Sequence, residues 1–533
     1  MRQRKIMSVI GGLTLAAGLL LAAPAAHADE APTPPAEFTT DWHDPVTAAP
    51  PVATPGTRSC EVTLAQVQFR DFTPYKGSYA PPKECGTRWN KVVLRLEGKV
   101  KGRQYDRLGY LTVGGVEILR TSTPEPSPEG IAWSVEKDVT RYRDTLSRPQ
   151  SVEMLIGNVV DETYTGVLDV RVTLTFHTAQ GAVRPAAGTP DRVLPLDDAT
   201  LTTPRNTERI LAEVYATGSG GGCEEFWYLT VPDAAPYSCK ATDGPYREVR
   251  ISVDGQLAGI AAPFPHVWTG GWSNPFLWYV TPAPRAFDVQ PIVYDLTPFA
   301  GVLNDGRAHR VEVSVAGVPA GRPGWSVPAN VLLWQDAGRQ VVTGAVDRHE
   351  AGTPRNSTVH TPGSPDRLDT TGGHTLTVSG HLNTSHGRVV TTVTRTVDHL
   401  SSHRWGADEN PDALTAYWTD DETVTAGRTA TRTHRRYTMD GEITVDAGNR
   451  LRTVLTVGDR SSVDVVRDGR RLSWSRLDDT YTGDASFTLG VPREQRHAIG
   501  TSAERYRAYG SDGCYDRSLK TVQGTLVEDL RRC

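Results

Sequence analysis

The chain lacks most of the features that mark common enzyme and binding classes. Beyond residues 6–23 no apolar run approaches the length needed to cross a bilayer, which argues against a membrane-embedded body. Net charge is only −5 over 533 residues, with no long run of like charges, so neither a nucleic-acid groove nor a membrane-binding face is indicated. Only six cysteines occur, with no Cys-x-x-Cys and no close Cys/His cluster, which excludes a structural zinc site. There is no Gly-x-Ser-x-Gly elbow, zincin helix or phosphate loop, and the isolated Ser and His residues suggest no triad. If the chain is a hydrolase, paired carboxylates and a directly activated water are the economical solution.

What is present begins with a three-part leader. Arg2, Arg4 and Lys5 precede the apolar run, and Ala26-His27-Ala28 offers a small-x-small cleavage site before Asp29-Glu30. The expectation is a signal peptide over 1–28 and a secreted, extracellular protein. Residues 29–56, rich in Pro, Ala and Thr, read as a disordered leader. An even number of cysteines suits an oxidising compartment, and proximity pairs Cys60 with Cys85, Cys223 with Cys239, and Cys514 with Cys533.

From Cys60 onward the 50 Gly and 37 Pro punctuate short alternating runs, which fits antiparallel β-sandwiches and leaves little room for helices. Segments such as 92–98, 167–176, 210–215, 247–253 and 310–315 carry that pattern, and Gly114-Gly115 reads as a hairpin turn. The expected organisation is a first sandwich over 57–180, a Gly/Pro/Ala linker over 181–198 and a second sandwich over 199–345. Beyond it aromatics thin out and long Thr-rich strands appear, which reads as a separate β-rich accessory domain over 346–533.

Two segments concentrate acidic and aromatic residues. Cys223-Glu224-Glu225-Phe226-Trp227-Tyr228 follows a glycine run and reads as a turn entering a strand. On an extended segment adjacent carboxylates point to opposite faces, so one of Glu224 and Glu225 faces a cleft and the other the interior. The second segment holds Phe264, His266, Trp268, Trp272, Phe276, Trp278 and Tyr279, broken by Gly270-Gly271 and Pro275. Flat aromatic faces suit the apolar face of a pyranose ring, although a sandwich core consumes aromatics as well.

Ordered motifs then go beyond pattern. Tyr105-Asp106-Arg107, Arg120-Thr121-Ser122-Thr123-Pro124-Glu125-Pro126 and Tyr164-Thr165-Gly166 precede Pro204-Arg205-Asn206-Thr207-Glu208-Arg209 and Gly222-Cys223-Glu224-Glu225-Phe226-Trp227. Gly244-Pro245-Tyr246-Arg247, Asp254-Gly255-Gln256-Leu257 and Tyr294-Asp295-Leu296-Thr297-Pro298-Phe299 follow. In this order the set resembles the peptide-N-glycosidase A family over roughly residues 57–345, and is more distantly similar to the peptide-N-glycosidase F family.

That resemblance implies two jelly-roll domains meeting at an active site, and hydrolysis of the β-aspartylglucosamine amide of N-glycoproteins or glycopeptides. It implies no metal or organic cofactor; with the even charge, no nucleic-acid or membrane partner is expected, and the chain is expected to be a monomer. Asp106, followed by Arg107, matches the main catalytic aspartate of the more distant F family, and Glu225 a glutamate of its second domain, so these two are the candidate catalytic acids. Arg107, Asp161, Glu224, Trp227, Trp268 and Trp272 are the candidate substrate contacts. A glycoside hydrolase, which also uses two carboxylates, and a non-catalytic carbohydrate-binding protein are the competing expectations.

Overall fold

Strands dominate because buried and exposed side chains alternate along most segments, as in Trp89–Val100 and Asp412–Ala426. The computed structural model describes residues 43–533 except 87, 179–187, 197, 220–221, 273 and 320–323. The expected signal peptide, residues 29–42 of the expected leader and residues 181–187 of the expected linker lie outside the described residues. Among the described residues the α-helices are two single turns, Arg143–Leu146 and Ala300–Leu303.

The first eight strands are β1 (Ser59–Phe69), β2 (Tyr75–Tyr79), β3 (Trp89–Val100), β4 (Leu108–Val113), β5 (Val116–Ser122), β6 (Ile131–Asp138), β7 (Gln150–Ile156) and β8 (Leu168–Thr178). They form two antiparallel sheets in the orders β1-β8-β3-β6 and β2-β7-β4-β5, a jelly roll. Gly114 and Gly115 make the β4–β5 turn with φ of 58° and 80°, a conformation that favours glycine at both positions.

Ten further strands follow: β9 (Arg192–Pro195), β10 (Thr200–Leu201), β11 (Thr207–Val214), β12 (Thr217–Gly218), β13 (Glu248–Val253), β14 (Gln256–Ala261), β15 (Ile292–Asp295), β16 (His309–Ala316), β17 (Trp325–Ser326) and β18 (Ala329–Gln335). Their sheets run β10-β16-β13-β14 and β15-β11-β18-β9. With the two-stranded β12–β17 ribbon set aside, this is the strand order of the first sandwich repeated. The repeat needs β9, so part of the expected linker is a strand. Its backbone pairs with β18 through Arg192–Leu333, Val193–Leu332 and Leu194–Val331.

The two sandwiches dock edge to edge. Asn330 spans the seam, its Nδ2 donating to the Glu117 carbonyl (2.7 Å) and its Oδ1 accepting from the Glu117 amide (3.0 Å). Ser122 donates through both N (3.0 Å) and Oγ (2.7 Å) to the Ala286 carbonyl.

From Thr343 the chain makes a single sheet of eleven antiparallel strands, Thr343–Ala351 through Thr525–Arg531. Among the described residues no second sheet of the C-terminal part covers it. Its apolar face lies instead on the loops of the second sandwich, with ring centroids 5.4 Å apart for Trp418–Trp227, 5.1 Å for Tyr437–Phe264 and 4.6 Å for Tyr481–Trp278. One apolar core is therefore continuous from Leu64 to Ala498. A sheet with one apolar face must bury it somewhere, and these loops supply the surface.

Residues 43–56, expected to be disordered, are ordered. The His43 amide donates to the Gly524 carbonyl (2.9 Å), Val46 to Val280 (2.8 Å), and Ala48 to the Glu504 carboxylate (3.0 Å). An extended segment rich in small residues can lie close against strands, and its backbone donors find partners there. Disulfides join Cys60 to Cys85, Cys223 to Cys239 and Cys514 to Cys533.

Candidate active site

Asp106 and Arg107 end the β3–β4 connection of the first sandwich. Thr123, just past β5, fixes them: its Oγ1 accepts from the Arg107 amide (2.9 Å) and its amide donates to the Arg107 carbonyl (3.1 Å). The Thr123 carbonyl also accepts from Thr269 Oγ1 (2.8 Å), which pins the β14–β15 connection of the second sandwich to the same point. Gly270, the next residue, brings its amide to the Asp106 carboxyl.

Gly270 is also where a second acid enters. A Cβ on Gly270 would sit 3.0 Å from Asp106 Oδ1 and 3.0 Å from Glu125 Oε1. The two carboxyls therefore flank one patch of bare backbone, and a side chain there would press on both. Burial pushes the Asp106 carboxyl up to about 6, against the opposing pull of the Gly270 amide, Arg107 and Thr269. Burial likewise lowers the Arg107 guanidinium, whose Nε (3.2 Å) and Nη2 both donate to Gln104 Oε1.

The second sandwich contributes Glu225 from the β11–β13 connection. Cys223–Leu229 is a 3-10 turn kinked at Phe226, and not the strand entry expected from sequence. Successive side chains on such a turn diverge by about 120°, so the two glutamates still separate. Glu224 is 3% exposed and forms a two-pronged ion pair with Arg247 (2.7 and 2.9 Å), while also accepting from Trp325 Nε1 (2.6 Å). Glu225 faces the cleft instead, with its charge next to the Tyr228 hydroxyl.

The cleft has a volume of about 1150 Å³. Asp106, Arg107, Glu125, Tyr105, Tyr164 and Asp161 line it from the first sandwich, Glu225, Trp268, Gly270 and Tyr279 from the second, and residues 487–492 and Arg496 from the C-terminal sheet. Arg120 lies at its base, 3% exposed, held by Glu117 (2.7 and 3.2 Å) and donating across the seam to Thr217 Oγ1 (2.7 Å). The acids come from corresponding places in the repeated fold. Asp106 and Glu225 both follow the third strand of their jelly roll, while Glu125 and Gly270 both follow the fifth.

A family profile described as peptide N-acetyl-beta-D-glucosaminyl asparaginase amidase A matches residues 45–351. The chain belongs to this amidase A family. It is also similar to peptide-N4-(N-acetyl-beta-glucosaminyl)asparagine amidase A of Prunus dulcis, with 32% identity over 340 residues, 56% of this chain and 58% of that one. The chain thus matches less than two thirds of that relative's length. Two solved structures of PNGF-II, in C2 and P21 space groups, align with TM-scores of 0.36 and 0.35 at 15% and 14% identity. They cover 52% of this chain and 65% and 66% of theirs.

Within the span matched to the amidase A family, the structure gathers Asp106, Arg107, Asp161, Glu225 and Trp268 around one cleft. Asp161 sits exposed at its rim, accepting from the Thr163 and Tyr164 amides (both 2.7 Å). Three expected substrate contacts lie elsewhere. Glu224 is consumed by Arg247. Trp227 is buried among Trp325, Trp418 and Tyr228. Trp272 is buried flat on Tyr228 and against Gly441. Both tryptophans are packing for the C-terminal sheet, whose sequence predicts a separate domain.

Glu125 is the acid that sequence reasoning missed. The signal is its place in Arg120-Thr121-Ser122-Thr123-Pro124-Glu125-Pro126, one of the motifs that carry the resemblance. Among the described residues, one group of three could hold a metal ion, Glu208, Asp336 and His386, and none of these lines the cleft.

Proposed function

We propose that the protein is a secreted amidase that hydrolyses the β-aspartylglucosamine amide of N-glycopeptides or N-glycoproteins, releasing the glycan and leaving aspartate. The observation that carries this reading is the convergence of Asp106 and Glu125 on the Gly270 backbone, with Glu225 facing the same cleft, in a chain of the amidase A family. The secreted location rests on the N-terminal leader and suits the three disulfides.

An amide is a poor electrophile with a poor leaving group, so cleavage needs a base for the water and a proton for the departing nitrogen. A single carboxyl with a pKa near the working pH can do both in turn. Ionised Asp106 takes a proton from water as the water oxygen bonds to the asparagine side-chain carbonyl carbon. It then gives that proton to the glycosylamine nitrogen as the C–N bond breaks. The products are an aspartic acid side chain and a 1-amino sugar, which loses ammonia in solution. The Arg107 guanidinium beside Asp106 favours the anion needed for the first step. Glu125 and Glu225 orient the water and the sugar amide.

The test is treatment of an N-glycopeptide in heavy-oxygen water, followed by peptide mass spectrometry. Amidase action places one heavy oxygen in an aspartate where asparagine stood. A sugar left on asparagine would replace this reading by an endoglycosidase, and an unchanged glycopeptide by a binding protein.

A further inference from the structure

The C-terminal sheet reaches the cleft through one connection, the segment between strands Arg470–Thr488 and Ile499–Gly510. We propose that this segment is the peptide-binding wall of the active site, so that residues outside the family-matched span determine which polypeptide contexts are accepted. The proposal rests on the amidase reading and deepens it.

Three observations place the wall. The segment lines the same cavity as Asp106 and Glu225. It is also held rigidly: the Thr488 amide donates to the Arg496 carbonyl (2.8 Å) and closes the loop, the Leu489 amide donates to Asn449 (2.9 Å), and Arg450 donates to the His497 carbonyl (2.9 Å). Finally, it is tied to the second sandwich. Phe487 packs on Phe276 at 5.3 Å and Phe276 on Tyr279 at 5.1 Å, while Asn274 donates to the Ala485 carbonyl (2.8 Å). A wall fixed in this way can select ligands, because it pays little ordering entropy on binding.

Its chemistry separates the two halves of a glycopeptide. Leu489, Val491 and Pro492 are apolar, and Arg496 places its guanidinium 5.8 Å from the centre of the Phe487 ring. The first sandwich brings Arg103, Gln104, Tyr105, Tyr164 and Asp161 to the same cleft, polar and aromatic groups set among aliphatic ones. An oligosaccharide carries a hydroxyl on most of its carbons and needs such partners. A peptide brings apolar side chains, backbone carbonyls and occasional carboxylates, which suit an aliphatic surface carrying the Arg496 guanidinium. The sugar therefore belongs on the first-sandwich side and the peptide against the C-terminal wall.

The test uses one glycan carried on three peptides: a minimal one, a long neutral one and a long one with acidic flanks. Arg496→Glu should raise KM about tenfold on the acidic peptide, less on the neutral one and least on the minimal one, with a smaller effect on kcat. Val491→Asp, a second variant in the same loop, should raise KM on both long peptides. Thermal melts establish that each variant is folded. Losses that are equal on all three peptides, or unchanged KM values, would each overturn the proposal. Fluorescence anisotropy of the same glycopeptides, labelled on the peptide, reads the wall without turnover. Peptide-dependent binding with no glycan release would sink the amidase reading alone. Glycan release with binding indifferent to the peptide would sink only the wall.

Discussion

Asp106 in the cleft and Asp479 in the C-terminal sheet are both aspartates whose carboxyls burial pushes upward. Their surroundings differ. Asp106 opens on a cavity and has a guanidinium, a hydroxyl and the Gly270 amide drawing it back toward the anion. Asp479 is 5% exposed and closed in with Glu504, itself 4% exposed and pushed up to about 7. The Ala48 amide seals that pair by donating to Glu504 (3.0 Å). Nearby charges are already committed, Arg285 to Asp459 (2.6 and 2.9 Å) and Arg517 to Asp529 (2.8 and 2.9 Å). A raised carboxyl pKa therefore marks a site only where substrate can reach it. Without access it marks a pH-dependent joint.

The largest effect should fall on the open side. Asp106→Asn removes the proton acceptor while keeping the shape, and kcat should drop about a hundred- to ten-thousandfold. Stability should hold or rise above pH about 6, because a carboxyl with a raised folded-state pKa opposes folding once it must ionise. Steady-state kinetics and thermal melts on the same sample check both halves. A variant that lost activity only by unfolding would make Asp106 resemble Asp479.

Glu224 and Glu225 sharpen the same contrast at adjacent positions. Glu224→Gln strands the buried Arg247 and should cost about 3–5 kcal/mol of stability. Glu225→Gln should leave the melting temperature almost unchanged and weaken turnover instead. Chemical denaturation of the two variants in parallel decides it, and similar losses at both positions would overturn the division of roles. Next in size is Gly270→Ala, whose added methyl meets Asp106 and Glu125 at 3.0 Å each. Displacing reacting groups by a fraction of an ångström should lower kcat about ten- to a hundredfold at unchanged KM.

How much of this was legible in the sequence varies with the range of the interactions. Strand alternation is local, so the all-β class followed from segments such as 92–98 and 167–176. Two jelly rolls followed from the resemblance, but their strand-for-strand repeat has no sequence pattern, because β9 is only four residues long and is recognisable as a strand only beside β18. Asp106 and Glu225 came from resemblance, since a lone Asp-Arg or Glu-Glu has no pattern of its own. Trp227 and Trp272 were misread because what buries them arrives more than 150 residues later, in Trp418 and Gly441. No period in the sequence encodes that contact. Glu125 escaped for a related reason, its partner at Gly270 being supplied by the other sandwich.

The smallest effect should come from the sealed pair, and its sign follows from proton binding. Asp479 and Glu504 have folded-state pKa values above the ordinary carboxylate range, so the folded protein holds protons that the unfolded chain has released by pH about 4 to 5, and Glu504 keeps its own up to about 7. Their contribution is fully favourable below that window and is lost as pH rises through it. Asp479→Asn keeps a polar group beside Glu504 and removes one titration. Melting temperatures measured from pH about 5 to about 8 should therefore fall less steeply in the variant than in the parent, with the curves converging at the acid end. A parent stability independent of pH across this window would remove the distinction between open and sealed carboxyls, leaving access to the cleft as the only difference between Asp106 and Asp479.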